Sequence, residues 1–545
     1  MKRVVSLSVL AIVAPLLVTI PGANAAQPTR APKLPSIQTA DLPASPPVKA
    51  KAATLAAKSG KTTAPGVREV APDGGFSMVG LKWSGAAPEV MEVRWRTDGT
   101  WSDWQENEPA EGGRDGKPVV TTEPIWTGRA DRVQVRATRA GADATDALTV
   151  VAVDPGESPN DSLIASVNAV PDRPTLVTRA QWGADESIMN WTPEYVDDIK
   201  GVTIHHTAQT NNYTCADSAA MVRSVYQFHT VAQGYGDIGY NVLVDKCGIF
   251  FEGRSGGQRY PVVAGHAYGF NRHTFGISII GDHTTTPPTD VTLESVATMA
   301  AWKMGNGYID PAGTITLTSG AGTDKAKYPI GKQATLPKIF GHRDVVFTEC
   351  PGTTAYNKLD TIRARVTALM GDWQASPIHQ KWQALGTTSI GPVYGVEQSE
   401  AGGGRSTEFK QGVSTIAYRS DVGAHLVSGA INAKFRELGG FAKLGYPTND
   451  ESGTTDGQGR FNHFTGNASI YYTPTTGAHA VLGPIRDTWN SLGAEKSFLG
   501  YPTTDEETID GGRRANFQGG TVLISNSTGK ITIYRKYTGT TAVRR

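Results

Sequence analysis

The sequence predicts a multidomain protein with a central α/β domain, a mixed sheet flanked by helices, set between an N-terminal all-β accessory domain and C-terminal β-rich repeats. Three observations predict it. From about residue 66 to 155 apolar side chains alternate with period two; from 175 to 371 short buried-strand runs alternate with helical patterns; beyond Ile378 the chain repeats itself.

A length of 545 residues exceeds what one hydrophobic core can organise, so several domains are required. With 39% apolar and 19% charged residues and a formal net charge of +1, the composition is that of an ordinary globular protein, without the basic field that nucleic-acid binding needs. Lys2 and Arg3 precede an apolar run from Val4 to Ile20, and Ala23-Asn24-Ala25 supplies small residues for cleavage, so residues 1–25 read as a secretory signal peptide. A membrane anchor is the alternative; Ser6, Ser8, Pro15 and the small tripeptide favour cleavage, and no later segment is apolar enough to span a bilayer. Residues 26–65 are rich in Ala, Pro, Lys and Thr, and no aromatic residue precedes Phe76, which predicts a disordered leader.

Residues 66–155 predict a β-sandwich. Val93 and Trp95 alternate with Arg94 and Arg96, and Val133 and Val135 with Gln134 and Arg136. Asp98-Gly99 marks a hairpin and Asp154-Pro155-Gly156 closes the segment. Trp83, Trp95, Trp101, Trp104 and Trp126 fit core or rim positions, with stacking on sugar rings as the functional alternative.

A polar linker, 156–174, leads into the 175–371 segment. Gly201 to His206 reads as a buried strand; Asp217 can cap a helix whose apolar face is Met221, Val225, Phe228 and Ala232. Strands follow at Tyr240 to Val244 and Gly276 to Ile280, then helices carrying Leu293, Val296, Ala300 and Met304, and Leu359, Ile362, Val366 and Leu369. In residues 372–545, Ile378, Ile431 and Ile485 open three similar units, each with an aromatic residue four positions on, Trp382, Phe435 and Trp489. Leu444-Gly445-Tyr446-Pro447 recurs as Leu499-Gly500-Tyr501-Pro502, and Gly423-Ala424-His425 as Gly477-Ala478-His479, the pattern of a binding array or of a stack of β-rich units.

Only three cysteines occur, Cys215, Cys247 and Cys350, and an odd number leaves one thiol unpaired or committed to other chemistry. In the α/β segment, VTIHHTA carries His205 and His206, GYNVLV carries Tyr240, and GHRDVVFTECPG carries His342 and Cys350. Two imidazoles and a thiolate form a tripod that suits zinc and leaves a fourth tetrahedral position open. His205 and His206 are strand neighbours that face opposite ways, and spacing does not say which of them reaches a metal.

VTIHHTA, DIGYNVLVDKCGIFFEGR, GHAYGFNRHTFGISIIGDH and GHRDVVFTECPG, in this order, resemble the peptidoglycan recognition proteins and the related type 2 N-acetylmuramoyl-L-alanine amidases. The resemblance implies a secreted, wall-associated enzyme that uses Zn²⁺ to hydrolyse the amide between N-acetylmuramic acid and L-alanine of peptidoglycan. It implies His205, His342 and Cys350 as zinc ligands, Tyr240 and Thr348 as catalytic hydrogen-bond donors, Arg254, His266 and Asn271 along the muramyl-peptide groove, and His206 either lining that cleft or supporting the strand. Thr348 follows the animal pattern where phage relatives carry lysine, and Ser255-Gly256 matches neither dipeptide common in animal members at that point. By assigning Cys350 to the metal, the resemblance also implies a Cys215–Cys247 disulfide. The C-terminal units resemble LGFP repeats, which implies attachment to wall polysaccharide. A member that binds peptidoglycan without cutting it, or a wall scaffold with a vestigial enzyme domain, are the rival expectations.

Overall fold

The computed structural model describes residues 33, 35–42, 66–110, 113–116, 120–158, 161, 174–322 and 326–536; the expected signal peptide, most of the leader and most of the 156–174 linker lie outside them. Two sheets form the N-terminal sandwich. One runs Ser36–Asp41, Leu148–Asp154, Phe76–Trp83, Ile125–Ala130; the other runs Arg68–Val70, Arg132–Arg139, Val90–Thr97, Thr100–Trp101. Val79, Leu81 and Val150 of the first sheet meet Val93, Val133 and Val135 of the second to form its core.

The strand Ser36–Asp41 corrects the expectation that the whole 26–65 leader is disordered. It pairs antiparallel with Leu148–Asp154 over six positions. Its main-chain hydrogen bonds and the flanking Ile37 and Leu42 side chains hold it, so an edge strand forms without the aromatic residues whose absence suggested disorder. Trp83 and Trp126 are buried in core clusters. Trp104 is covered by Arg136 at 4.3 Å and by Arg94 at 4.8 Å, and Arg94 also lies 5.2 Å from the Trp101 ring, so these indoles stack on guanidinium groups.

The central domain has a six-stranded mixed sheet built from β1 (Leu176–Val177), β2 (Gly201–His206), β3 (Val242–Val244), β4 (Phe250–Glu252), β5 (Thr274–Ile279) and β6 (Ile339–Gly341), in the order β1-β4-β3-β5-β2-β6. Only β3 and β4 pair antiparallel. Helices α1 (Ser218–Gln227), α2 (Asp290–Gly305) and α3 (Leu359–Met370) cover it. The period-two pleat divides β2: Val202 and Ile204 pack with Val296, Ala300 and Met304 of α2 and Ile362 and Val366 of α3, while Thr203 and His205 face the other side. Leu369, expected on the apolar face of α3, is 38% exposed in the last turn. Asp217 occupies the N-cap of α1, but its carboxylate accepts from the Thr214 main-chain N–H at 2.7 Å rather than from the helix.

The α1 face of the sheet and the sandwich share one core: Met78, Trp126, Val151 and Val153 cluster with Met221, Val225 and Phe228. Burying each such side chain contributes about 1.5–3 kcal/mol, so the two domains are docked through a common interior.

Each C-terminal unit is a short helix followed by a four-stranded antiparallel sheet, the helices being Pro377–Leu385, Gly429–Glu437 and Gly483–Ser491. The Ile-to-aromatic spacing of four is one helical turn, which sets Ile431 beside Phe435 and Ile485 beside Trp489 in the unit cores. Tyr446 and Tyr501 are buried. The Tyr446 hydroxyl donates to Ala401 O at 2.9 Å and accepts from Gly404 N at 2.8 Å, in a turn of the preceding unit. Tyr501 makes the equivalent contact with Thr454 and Asp456.

Cys215 and Cys247 form a disulfide that ties the segment before α1 to the turn after β3, across a sequence separation of 32, and the buried Cys350 takes no part in it. Closing a loop of that length restricts the unfolded chain by about 3–4 kcal/mol. The double substitution Cys215→Ala/Cys247→Ala is therefore expected to lower the stability of the central domain by that amount, measured as the shift of its denaturant transition.

Candidate metal centre

His205 is the penultimate residue of β2. The parallel register sets Ile204 of β2 beside Gly341 of β6, so the chain emerging from β6 delivers His342, first residue of a 3-10 turn, next to His205. The chain then loops back: Arg343 N–H donates to Cys350 O at 2.9 Å, and Cys350 N–H donates to the Thr348 hydroxyl at 2.9 Å. These bonds bring the Cys350 thiol under the strand end. His205, His342 and Cys350 are 1%, 3% and 2% exposed, and their donor atoms all lie within 4.8 Å of one another.

The donor set and the spacing both fit zinc. His205 Nδ1 stands 3.6 Å from Cys350 Sγ. Sulfur at about 2.3 Å and nitrogen at about 2.0–2.1 Å from a tetrahedral ion would be separated by about 3.5–3.6 Å. Burial, with the neighbouring imidazoles, holds His205 well below the ordinary histidine range, which favours the neutral form that a ligand requires.

The other face of β2 takes His206. Its Nδ1 accepts from His283 N–H at 3.1 Å, and its own main-chain N–H points at Cys350 Sγ at 3.4 Å. Its side chain thus bonds to the main chain that follows β5.

His266 borders the cavity at this centre and also contacts His205. Its Nδ1 lies 2.9 Å from His205 Nε2, so with His205 Nδ1 turned toward the thiol, Nε2–H donates to His266 and the tautomer is fixed. Gly276 makes this possible: a Cβ there would come within 2.4 Å of the His266 ring. Burial pushes His266 down to about 3.

Tyr240, half-buried, sets its ring 5.3 Å from that of His205. Arg254 is 2% exposed, lies 3.8 Å over the Trp191 ring and donates to Ile238 O at 3.1 Å; burial lowers it to about 10. The Asn271 side-chain oxygen accepts from both His266 N–H and Ala267 N–H, at 2.7 and 2.8 Å, shaping the loop that carries His266. Glu349, beside the cysteine, is exposed and paired with Arg343 at 3.2 Å.

Several residues at this centre were not singled out by the sequence. His229 sits on a π-helical turn, Phe228–Ala232, that continues α1; its ring is 5.5 Å from that of Tyr240 and its Nδ1 accepts from Gly239 N–H at 3.1 Å. Burial pushes it down to about 3. Helical spacing identifies Phe228 and says nothing of its neighbour, although π turns often mark functional positions. The cavity at the centre is ≈ 20 Å³ and is lined by His229, Tyr240, His266 and His342 together with Gly113 and Glu123 of the N-terminal domain. A larger cavity of ≈ 890 Å³ lies at the opposite end of β2, bordered by Lys200, Trp373 and Trp382 between the central domain and the first repeat, away from the tripod.

Comparison with known proteins gives three family matches along the chain. Residues 195–353 match the N-acetylmuramoyl-L-alanine amidase family, residues 32–161 the Rv3811 N-terminal galactose-binding domain-like family, and residues 392–442, 444–497 and 499–540 the LGFP repeat. Peptidoglycan-recognition protein SC1a of Drosophila melanogaster is 30% identical over 184 residues, covering 34% of this chain and 83% of the relative. Peptidoglycan-recognition protein LB of Drosophila melanogaster is 28% identical over 191 residues, covering 34% and 68%. The solved structure of wild-type Drosophila PGRP-LB aligns at 28% identity over 34% of this chain and 93% of that one, with a TM-score of 0.27.

Histidines that orient a metal-binding imidazole typically contribute ten- to a hundredfold to affinity. His266→Ala is expected to weaken zinc binding by about that factor. Competition with a chromophoric chelator measures it, and an unchanged affinity would remove His266 from this role.

Proposed function

Because the chain belongs to the peptidoglycan recognition protein family, we propose that it is a zinc-dependent N-acetylmuramoyl-L-alanine amidase, secreted and held at the bacterial cell wall. Its substrate would be the amide joining the lactyl group of N-acetylmuramic acid to L-alanine of the stem peptide. The observation that carries this reading is the buried His205, His342 and Cys350 tripod with zinc-compatible spacing, set beside Tyr240.

Bound zinc would supply Lewis acidity, activating water and polarising the scissile carbonyl. The chain supplies the rest. His205 and His342 would offer ring nitrogens and Cys350 its sulfur, and His266 Nδ1, 2.9 Å from His205 Nε2, would keep His205 in the tautomer that presents Nδ1. The Tyr240 ring lies 5.3 Å from that of His205, and its hydroxyl would serve as hydrogen-bond donor to the oxygen on which negative charge develops. Thr348 accepts from Cys350 N–H, which holds the thiolate loop in shape and leaves the hydroxyl proton for a second contact. Addition of water to the carbonyl carbon breaks the C–N bond, leaving a carboxylate on the lactyl group and a free amino terminus on L-alanine.

The matches to LGFP repeats support attachment to the wall, with polysaccharide as the ligand class. Among the described residues no helix is long and apolar enough to cross a membrane.

Two substitutions test the assignment on purified peptidoglycan, with new amino termini and the muropeptide mass spectrum as readouts. Cys350→Ser is expected to abolish bound zinc and cleavage together. Tyr240→Phe is expected to keep the metal and lower kcat by about 10²–10³-fold, the usual effect of losing one oxyanion donor. A protein that recognises peptidoglycan without cutting it would release no amino termini in any form.

A further inference from the structure

The ≈ 20 Å³ cavity at the tripod has room for about one water molecule, whereas sites that enclose a ligand of a few sugar or amino-acid units run to about 300–1,000 Å³. The missing volume is filled from within the chain. Between the strands Gln105–Glu106 and Ile125–Ala130 of the N-terminal sandwich, residues 113–115 of the connecting segment bond to the central domain. Its stem is braced: Ala110 N–H donates to Thr121 O at 2.8 Å, Thr122 Oγ1 to Asn107 Oδ1 at 2.6 Å, and Asn107 Nδ2 to Glu123 O at 2.7 Å.

The tip, Gly113 to Asp115, bends at Arg114 and bonds to the central domain beside the tripod through both main chain and side chains. Gly113 N–H donates to the Tyr235 hydroxyl at 2.9 Å, and Gly113 O accepts from Asn271 Nδ2 at 2.6 Å. The Arg114 guanidinium donates to Tyr235 O at 3.2 Å. The Asp115 carboxylate accepts from Gly269 N–H at 2.7 Å and from Asn271 Nδ2 at 3.0 Å. Gly113 approaches so closely that a Cβ on it would lie 2.2 Å from Gly265 O.

Main-chain donor and acceptor, followed two residues later by a carboxylate, are also what a stem peptide offers. We infer that this tip is a built-in plug, which occupies the peptide side of the groove and keeps the full chain latent until it is displaced. The inference rests on the amidase reading for the word latent, although closure of the groove is a separate fact that can be measured separately. The shared core between the sandwich and α1 keeps the loop stem over the site, so opening requires the tip to swing out and leaves the domains docked. A peptide carrying a free carboxylate competes for the same Gly269 and Asn271 donors, which makes uncut substrate at high local concentration a natural opener.

The full-length protein tests this with two variants in the tip, Asp115→Ala, which removes the carboxylate, and Gly113→Val, which has no room to dock. The first readout is hydrogen exchange at Gly269 N–H, followed in the metal-free protein. The wild-type amide is expected to be protected and to exchange at least about tenfold faster in both variants, a factor that corresponds to about 1.4 kcal/mol. The second readout is kcat/KM on a soluble muramyl pentapeptide with zinc bound, expected to rise by a similar factor. An unprotected Gly269 amide in the wild type, or equal exchange in all three proteins, overturns the plug. Faster exchange with unchanged kcat/KM overturns latency. Exchange as expected with no cleavage by any form leaves the closed groove standing and defeats the amidase reading instead.

Discussion

Parallel pairing between the buried strand Gly201–His206 and its neighbour Ile339–Gly341 is the constraint from which the metal centre follows. Side chains on adjacent parallel strands share a level, so the residues that leave the two carboxyl ends meet above the sheet, where α/β folds generally place their sites. His205 and His342 are those residues. The pleat sends His206 to the opposite face, where it joins the main chain at His283. A shift of one residue in register would exchange the two histidines and leave the thiol opposite a strand brace. Full burial of the strand, with Val202 and Ile204 locked against two helices, fixes that register.

The N-terminal sandwich belongs to the same construction. Its outer sheet surface, with Met78, Trp126, Val151 and Val153, completes the core on which α1 rests, and α1 in turn ends in the π turn that brings His229 to the cavity. An accessory domain tethered by a flexible linker would leave the groove open on average. Here the docking is hydrophobic and continuous, so the loop above the groove has a defined place.

The alternation of apolar residues, the helical spacing and the 53- to 54-residue repetition made the three-part architecture legible, because each reflects a local period that burial imposes. The tripod was legible through motif resemblance, and strand alternation alone left His205 and His206 equivalent until packing chose between them. Less could be read where two distant segments meet. His266 shares a motif with Asn271 in sequence, and its contact with His205, 61 positions away, appears only in the fold. The Gly113–Asp115 tip has no periodicity and no unusual composition; its meaning lies in bonds to Tyr235, Gly269 and Asn271, more than a hundred residues on. The edge strand Ser36–Asp41 escaped notice for a related reason, since main-chain pairing leaves little mark on side-chain composition.

The tyrosines of the two Leu-Gly-Tyr-Pro turns have a mechanical meaning. Tyr446 reaches back to Ala401 and Gly404, and Tyr501 to Thr454 and Asp456, so each unit latches onto the one before it through a buried hydroxyl. Units clasped in this way behave as a jointed strut instead of loose beads on a string. The distance between the distal end of the array and the candidate metal centre is then set in discrete steps by the number of units, and gaining or losing one would reset that reach without altering the centre itself.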